Sequence, residues 1–213
     1  MTQRNSVGRL YAIVDIDACE RVRRTPMEVT RAFLAAGVGW LQLRAKRWES
    51  GVFLDLAQEM TAEARRARAK LIVNDRADIA AIADADGVHI GQNDLPPVAV
   101  RHLVGASSIV GLSTHSDSQL VVAVDQPISY LAIGPIFGTG TKDTGYEAIG
   151  LDAVRRAAGI AKRASLPLVA IGGITLEHAP AVIESGADSV AVISDLLVGD
   201  PESRARAFVR ALQ

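Results

Sequence analysis

Leu168-Val169-Ala170-Ile171-Gly172-Gly173-Ile174-Thr175 is followed by a helical stretch at 176–185, then by Gly186-Ala187-Asp188 and Ser189-Val190-Ala191-Val192-Ile193-Ser194. Both apolar runs are short and nearly continuous, as parallel strands buried on two faces should be. The stretch between them supplies the crossover that a parallel connection requires. Gly186 stands where a helix stops before the next strand. The segment reads as one strand–helix–strand unit.

Working outward, the same unit repeats along the chain. Strands are expected at 10–14, 40–44, 71–73, 87–90, 109–112, 130–133, 168–171 and 189–193. Helices are expected at 26–36, 52–69, 76–84, 96–103, 116–124, 150–164, 176–185 and 201–212, with Gly37 a second helix stop. Eight units in 213 residues leave about 27 residues each, close to the shortest repeat that holds a strand, a helix and two turns. The expected architecture is therefore a single α/β domain over 1–213, a (β/α)8 TIM barrel. An open doubly wound sheet is the alternative, and it rarely needs eight strands in so short a chain.

Composition narrows the function. Hydrophobic residues make up 49% and charged residues 22%, a globular rather than disordered profile. With 23 basic and 24 acidic residues, no net field favours nucleic acid or an anionic membrane. The basic cluster from Arg65 to Lys70 falls at a helix end, where cations suit the dipole. No apolar run is long enough to span a bilayer, and the first nine residues lack the apolar core of a signal peptide. The single cysteine, Cys19, lies in a polar stretch with no nearby histidine and is not read as catalytic. A cytoplasmic location is expected.

In such a barrel the site forms at the C-terminal strand ends. Strand alternation puts Gln42, Arg44 and Lys46 on one side, facing the mouth. Inward cations call for an anionic ligand; a solvated strand end is the plainer alternative. Asp75 and Asp94 follow the third and fourth strands. Each has a capping explanation, while together they would suffice for a hard cation such as Mg²⁺. Ser113 is either a donor to a ligand or a helix cap. The loop Gly138-Thr139-Gly140-Thr141-Lys142 is able to wrap an anion, or is simply flexible. Gly172 and Gly173, with Ile193-Ser194, offer backbone amides beside the last two strands, a recurrent phosphate cup. His89 is either a core histidine or part of the site; His102, His115 and His178 are expected at the surface. Trp40 and Trp48 are read as packing residues.

These segments, in this order, resemble the thiamine phosphate synthase and thiazole tautomerase family over nearly the whole chain. The matching pieces are Gln42-Leu43-Arg44-Ala45-Lys46, Asn74-Asp75, Gly87 to Asp94, Gly111-Leu112-Ser113, Gly134-Pro135-Ile136-Phe137, Thr139-Gly140-Thr141-Lys142, Ile171-Gly172-Gly173-Ile174 and Ile193-Ser194. The resemblance implies a transferase that joins a pyrimidine diphosphate to a thiazole phosphate, with Mg²⁺ and through a pyrimidine carbocation. It implies that Gln42, Arg44, Lys46, Asn74 and His89 bind the pyrimidine diphosphate, and that Asp75 and Asp94 hold the metal. Ser113 and Lys142 would contact the pyrimidine substrate and act with Arg44 in catalysis. Thr139, Thr141, Gly173, Ile193 and Ser194 would contact the thiazole phosphate. Family habit adds a homodimer. The stretch Thr139 to Thr144 is tighter than in relatives with an extra residue after the lysine. Three alternatives stand beside the synthase: a thiazole tautomerase, an isomerase or lyase of the phosphate-binding barrels, and a non-catalytic thiamine-phosphate sensor.

Overall fold

A computed structural model describes residues 7–138 and 146–213. Eight parallel strands close into a barrel in chain order: β1 (Leu10–Asp15), β2 (Trp40–Arg44), β3 (Lys70–Asn74), β4 (Gly87–Ile90), β5 (Ile109–Thr114), β6 (Tyr130–Ile133), β7 (Leu168–Ile171) and β8 (Ser189–Val192). Pairing of Leu10 with Val190 and Tyr11 with Ala191 joins β8 to β1 and excludes the open sheet. Closure removes both sheet edges.

The surrounding helices are α1 (Ile16–Arg21), α2 (Pro26–Ala35), α3 (Ser50–Arg66), α4 (Ala77–Ile82), α5 (Pro97–Val104), α6 (Asp117–Ala123), α7 (Gly150–Arg163), α8 (Ala179–Glu184) and α9 (Pro201–Ala211). Their starts follow local chemistry. Thr25 and Glu28 form a reciprocal capping box ahead of α2, and Asp200 caps α9, with proline in the first turn of each. Arg65 and Arg66 close α3, where the basic cluster was expected to sit. Among the described residues no helix is long and apolar enough to cross a membrane.

Three departures have local causes. The helix expected at 176–185 shrinks to α8. Thr175 O takes the amides of both His178 and Ala179 in a preceding turn, and Pro180 is confined to the first helical turn. The segment after β8 forms a short 3₁₀ turn, Ser194–Leu197, that was not expected. Helix α1 was also not expected. Asp15 ends β1 and accepts the Ala18 amide, starting a helix that hides Ile16, Ala18 and Cys19 among polar neighbours.

Cys19 is therefore fully buried rather than part of a polar surface. Burial, reinforced by the negative charges of Asp15 and Glu20, pushes its thiol from 9.0 up to about 12. Near neutral pH it holds about a thousandfold less thiolate than a free thiol, and thiolate is the reactive form. Native protein should resist a disulfide reagent, and unfolding in guanidinium should release one reactive thiol per chain. Rapid stoichiometric labelling of the folded protein would contradict this burial.

Two aspartates set the register at the bottom of the barrel in equivalent half-barrel positions. Asp86 N donates to Leu71 O and its carboxylate accepts the Leu71 amide, each at 2.9 Å. Asp188 makes the same pair of 2.9 Å bonds with Leu168. Both satisfy strand-end groups that would otherwise be unpaired.

The barrel interior carries an aromatic cluster. Tyr11, Trp40 and Tyr130 meet edge to face, with ring centroids 5.6–6.1 Å apart. Trp40 is the buried packing residue expected, and Trp48 packs on the rim of the core. Room for the Tyr130 ring comes from Gly111, its register partner on β5. A Cβ there would lie 2.0 Å from Tyr130 Cζ. Gly111→Ala is expected to lose about 3 kcal/mol by overpacking, read from guanidinium unfolding. An unchanged midpoint would show that the ring moves aside freely.

Candidate active site

The C-terminal strand ends frame a cavity of about 270 Å³, lined by Arg44, Lys46, Asn74, Asp75, His89, Asp94, Ser113 and His115 among others. Beside it lies a smaller cavity of about 70 Å³, between Gly134-Pro135, Gly172-Gly173 and Ile193-Ser194. Ser113 and His115 line both. The mouth is one site with two compartments that meet at the end of β5.

In the larger compartment the cations are already paired. Arg44 Nη1 donates to the Asp15 carboxylate, and Lys46 Nζ donates to Asp75 at 2.6 Å. Two inward cations thus do not depend on a ligand for compensation, contrary to expectation, because β1 and β3 supply the counter-charges. Gln42 shares their face but lies deeper, 2% exposed, where its Nε2 donates to Tyr11 Oη at 2.9 Å. Two residues along a strand amount to nearly 7 Å, so Gln42 sits a layer below the mouth. Its Oε1 is buried without a hydrogen-bond partner among the described residues.

The capping explanations fail for the two aspartates. The residue capping α4 is Arg76, that capping α5 is Pro96, and neither helix start receives a side-chain bond. Asp75 takes a left-handed backbone, φ 65°, at the end of β3. Asp94 turns back and accepts the Gly91 amide at 2.7 Å. Its carboxyl is raised above the ordinary range, first by removal from water and then by the like charge of Asp75. The Gly91 amide and Lys46 oppose that rise. Two mutually repelling carboxylates at one rim form a donor set of hard oxygens. Among the described residues no group of three or more His, Cys, Asp and Glu is placed to hold a metal.

Ser113 is not a helix cap either; Ser116 caps α6 by accepting the Gln119 amide. Ser113 Oγ instead meets His89 Nε2 at 2.8 Å, and His89 Nδ1 meets Tyr130 Oη at 2.8 Å. His89 is 7% exposed yet lines the larger compartment, so it belongs to both the core and the site. His115 corrects the surface expectation. It directly follows β5, before α6 begins, and this holds its ring over the mouth. Its Nδ1 meets Gly134 O at 2.6 Å and its ring stacks on Tyr146 at 3.9 Å. His102 and His178 are exposed as expected.

The smaller compartment is shaped by close backbone approaches. Gly173 has φ 63°, and a Cβ on it would lie 2.6 Å from Gly138 O. Gly173, Ile193 and Ser194 line this compartment together, where backbone groups come near without intervening side chains. Thr139, Thr141 and Lys142 lie outside the described residues.

Among the described residues, Asp15, Tyr11, Tyr130, His115 and Tyr146 escaped the sequence. For Asp15 a signal existed. It shares the alternating face of Tyr11 and Ile13 and ends an otherwise apolar strand.

A closed (β/α)8 barrel, with paired charges at one side of its mouth and a glycine-lined cup at the other, defines a barrel enzyme whose site lies at the C-terminal strand ends. Residues 10–196 match the family model described as thiamine monophosphate synthase, and the chain belongs to that family. It is 46% identical over 206 residues to the thiamine-phosphate synthase of Koribacter versatilis, covering 96% of this chain and 95% of that one. It is 42% identical over 203 residues to the thiamine-phosphate synthase of Thermus thermophilus, covering 95% and 96%. The solved thiamine phosphate pyrophosphorylase from Pyrococcus furiosus superposes with a TM-score of 0.85 at 28% identity, covering 98% of this chain and 96% of that one.

Proposed function

We propose that this protein condenses 4-amino-5-hydroxymethyl-2-methylpyrimidine diphosphate with 4-methyl-5-(2-phosphoethyl)thiazole, or its carboxylated form, giving thiamine phosphate and diphosphate. The observation that carries this assignment is one mouth that joins a carboxylate-and-cation compartment to a glycine-lined compartment at Ser113 and His115. Family membership supports the same reaction.

Mg²⁺ suits the hard carboxylate oxygens of Asp75 and Asp94, which would hold it with diphosphate oxygens and water; when bound it would supply neutralising charge. Arg44 and Lys46 would bind the departing diphosphate, with Lys142 contributing from the 139–142 loop. Because charge grows on those oxygens as the bond breaks, fixed cations favour the transition state over the ground state. Asp15 and Asp75 would orient those cations before the substrate arrives. The pyrimidine would rest against Gln42, Asn74 and His89. The buried Oε1 of Gln42 offers an acceptor for its exocyclic amine. The carbocation left behind would be captured by the thiazole nitrogen, with Gly173, Ile193, Ser194, Thr139 and Thr141 holding the thiazole phosphate. Water must be excluded meanwhile, which suits a narrow second compartment. No side-chain nucleophile is required. A cytoplasmic location and a homodimer complete the proposal.

Purified protein with Mg²⁺ and both substrates should form thiamine phosphate and diphosphate in equal amounts, and a chelator should stop both. Folded protein that makes neither product would overturn the assignment. A test of thiazole aromatisation would then decide for the tautomerase. The synthase names of the relatives and the full set of Arg44, Lys46, Asp75 and Asp94 favour the synthase.

A further inference from the structure

Beneath the mouth runs a continuous buried chain of hydrogen bonds. Gln42 Nε2 meets Tyr11 Oη at 2.9 Å, Tyr11 Oη meets Tyr130 Oη at 3.1 Å, Tyr130 Oη meets His89 Nδ1 at 2.8 Å, and His89 Nε2 meets Ser113 Oγ at 2.8 Å. We infer that Tyr11 and Tyr130 are positioning residues that hold His89 as its Nε2–H tautomer and thereby turn the Ser113 hydroxyl proton into the cavity.

The direction follows from what each atom is able to donate. An amide nitrogen has no free lone pair, so Gln42 Nε2 donates and Tyr11 Oη accepts. Burial pushes the pKa of both phenols up, so each keeps its one proton. The Tyr11 proton then goes to Tyr130 Oη, and the Tyr130 proton goes to His89 Nδ1. That nitrogen must be bare, so His89 Nε2 carries the proton and donates to Ser113 Oγ. Ser113 is left with a proton that has no place on the histidine, at the position lining both compartments. With the Gln42 amide standing Nε2 toward Tyr11, the reverse direction would set the Tyr11 hydroxyl against the amide protons inside the core, two donors without an acceptor. A turned amide would reverse the relay and give His89 the Nδ1–H tautomer, which the nitrogen spectrum distinguishes. A hydroxyl held as a donor suits the oxygens of an anion; this last step rests on the function proposed above, whereas the tautomer does not.

The test is the nitrogen spectrum of histidine-labelled protein at pH 8.5, with the His89 signals assigned by their loss in His89→Asn. A bare, pyridine-type Nδ1 and a protonated Nε2 are expected for His89. His115, whose Nδ1 faces the carbonyl oxygen of Gly134, should show the opposite tautomer and serves as an internal control. A protonated Nδ1 on His89, in either the other tautomer or the imidazolium, overturns the inference, and that state is read on the wild-type protein, the variant serving only for assignment. In Tyr130→Phe the His89 tautomers should mix, and kcat should fall about tenfold. A His89 that keeps Nε2–H unmixed in that variant would also overturn it. Wild-type protein with the expected tautomer but no thiamine phosphate production would defeat the proposed function and leave the relay standing.

Discussion

Asp94→Asn should lose about 10²–10³-fold in turnover while melting no lower than the parent protein. The two effects separate because Asp94 is costly where it stands. Its carboxyl is raised in the folded protein by removal from water and by Asp75. A folded value above the unfolded one means that ionisation opposes folding. That cost sets in as pH rises from the ordinary carboxyl value of 3.8 and is complete above the folded value. Asparagine removes the charge and still offers an oxygen to the Gly91 amide, so the loop keeps its shape. Added Mg²⁺ should raise the melting temperature of the parent and leave that of the variant unmoved. If the variant turns over normally, the carboxylate pair has no part in the reaction.

Arg44→Ala should behave in the opposite way, losing activity about a hundredfold or more together with about 3–5 kcal/mol of stability. Its partner Asp15 has a side chain only 2% exposed, against 12% for Arg44. Removing the guanidinium leaves a buried carboxylate with one remaining bond among the described residues, from the Ala18 amide that starts α1. The stability loss therefore belongs to Asp15 rather than to Arg44. Pairing Arg44→Met with Asp15→Asn tests this, because asparagine keeps the cap and carries no charge. The double variant should recover most of the guanidinium unfolding midpoint and none of the activity. Equal midpoints for Arg44→Ala and the parent would show that Asp15 reaches water.

The barrel was legible because its signal is repeated and local. Apolar runs such as Leu168–Ile171 and helix stops such as Gly186 depend on a few adjacent residues. Strand ends were read to within two residues, and β2, β4, β6 and β7 matched the expected bounds. Short elements were less legible. The Ile16–Arg21 helix is six residues long and owes its existence to one cap and a buried face, too little for periodicity to register.

Site residues divide along the same line. Arg44, Lys46, Asp75, Asp94, Ser113 and Gly173 stand at strand ends, and the sequence by itself determined that they would gather at one mouth, because a parallel barrel brings all its C-terminal strand ends together. Tertiary structure alone decided which of them meet. Asp15 reaches Arg44 across 29 residues, and Tyr11 reaches Tyr130 across 119. Likewise, capping stands as an alternative to a shared cation for Asp75 and Asp94 until the folded chain places other residues at the cap positions. A strand's alternation says which face a side chain takes. Barrel closure and strand stagger decide what stands opposite, since both depend on all eight strands at once.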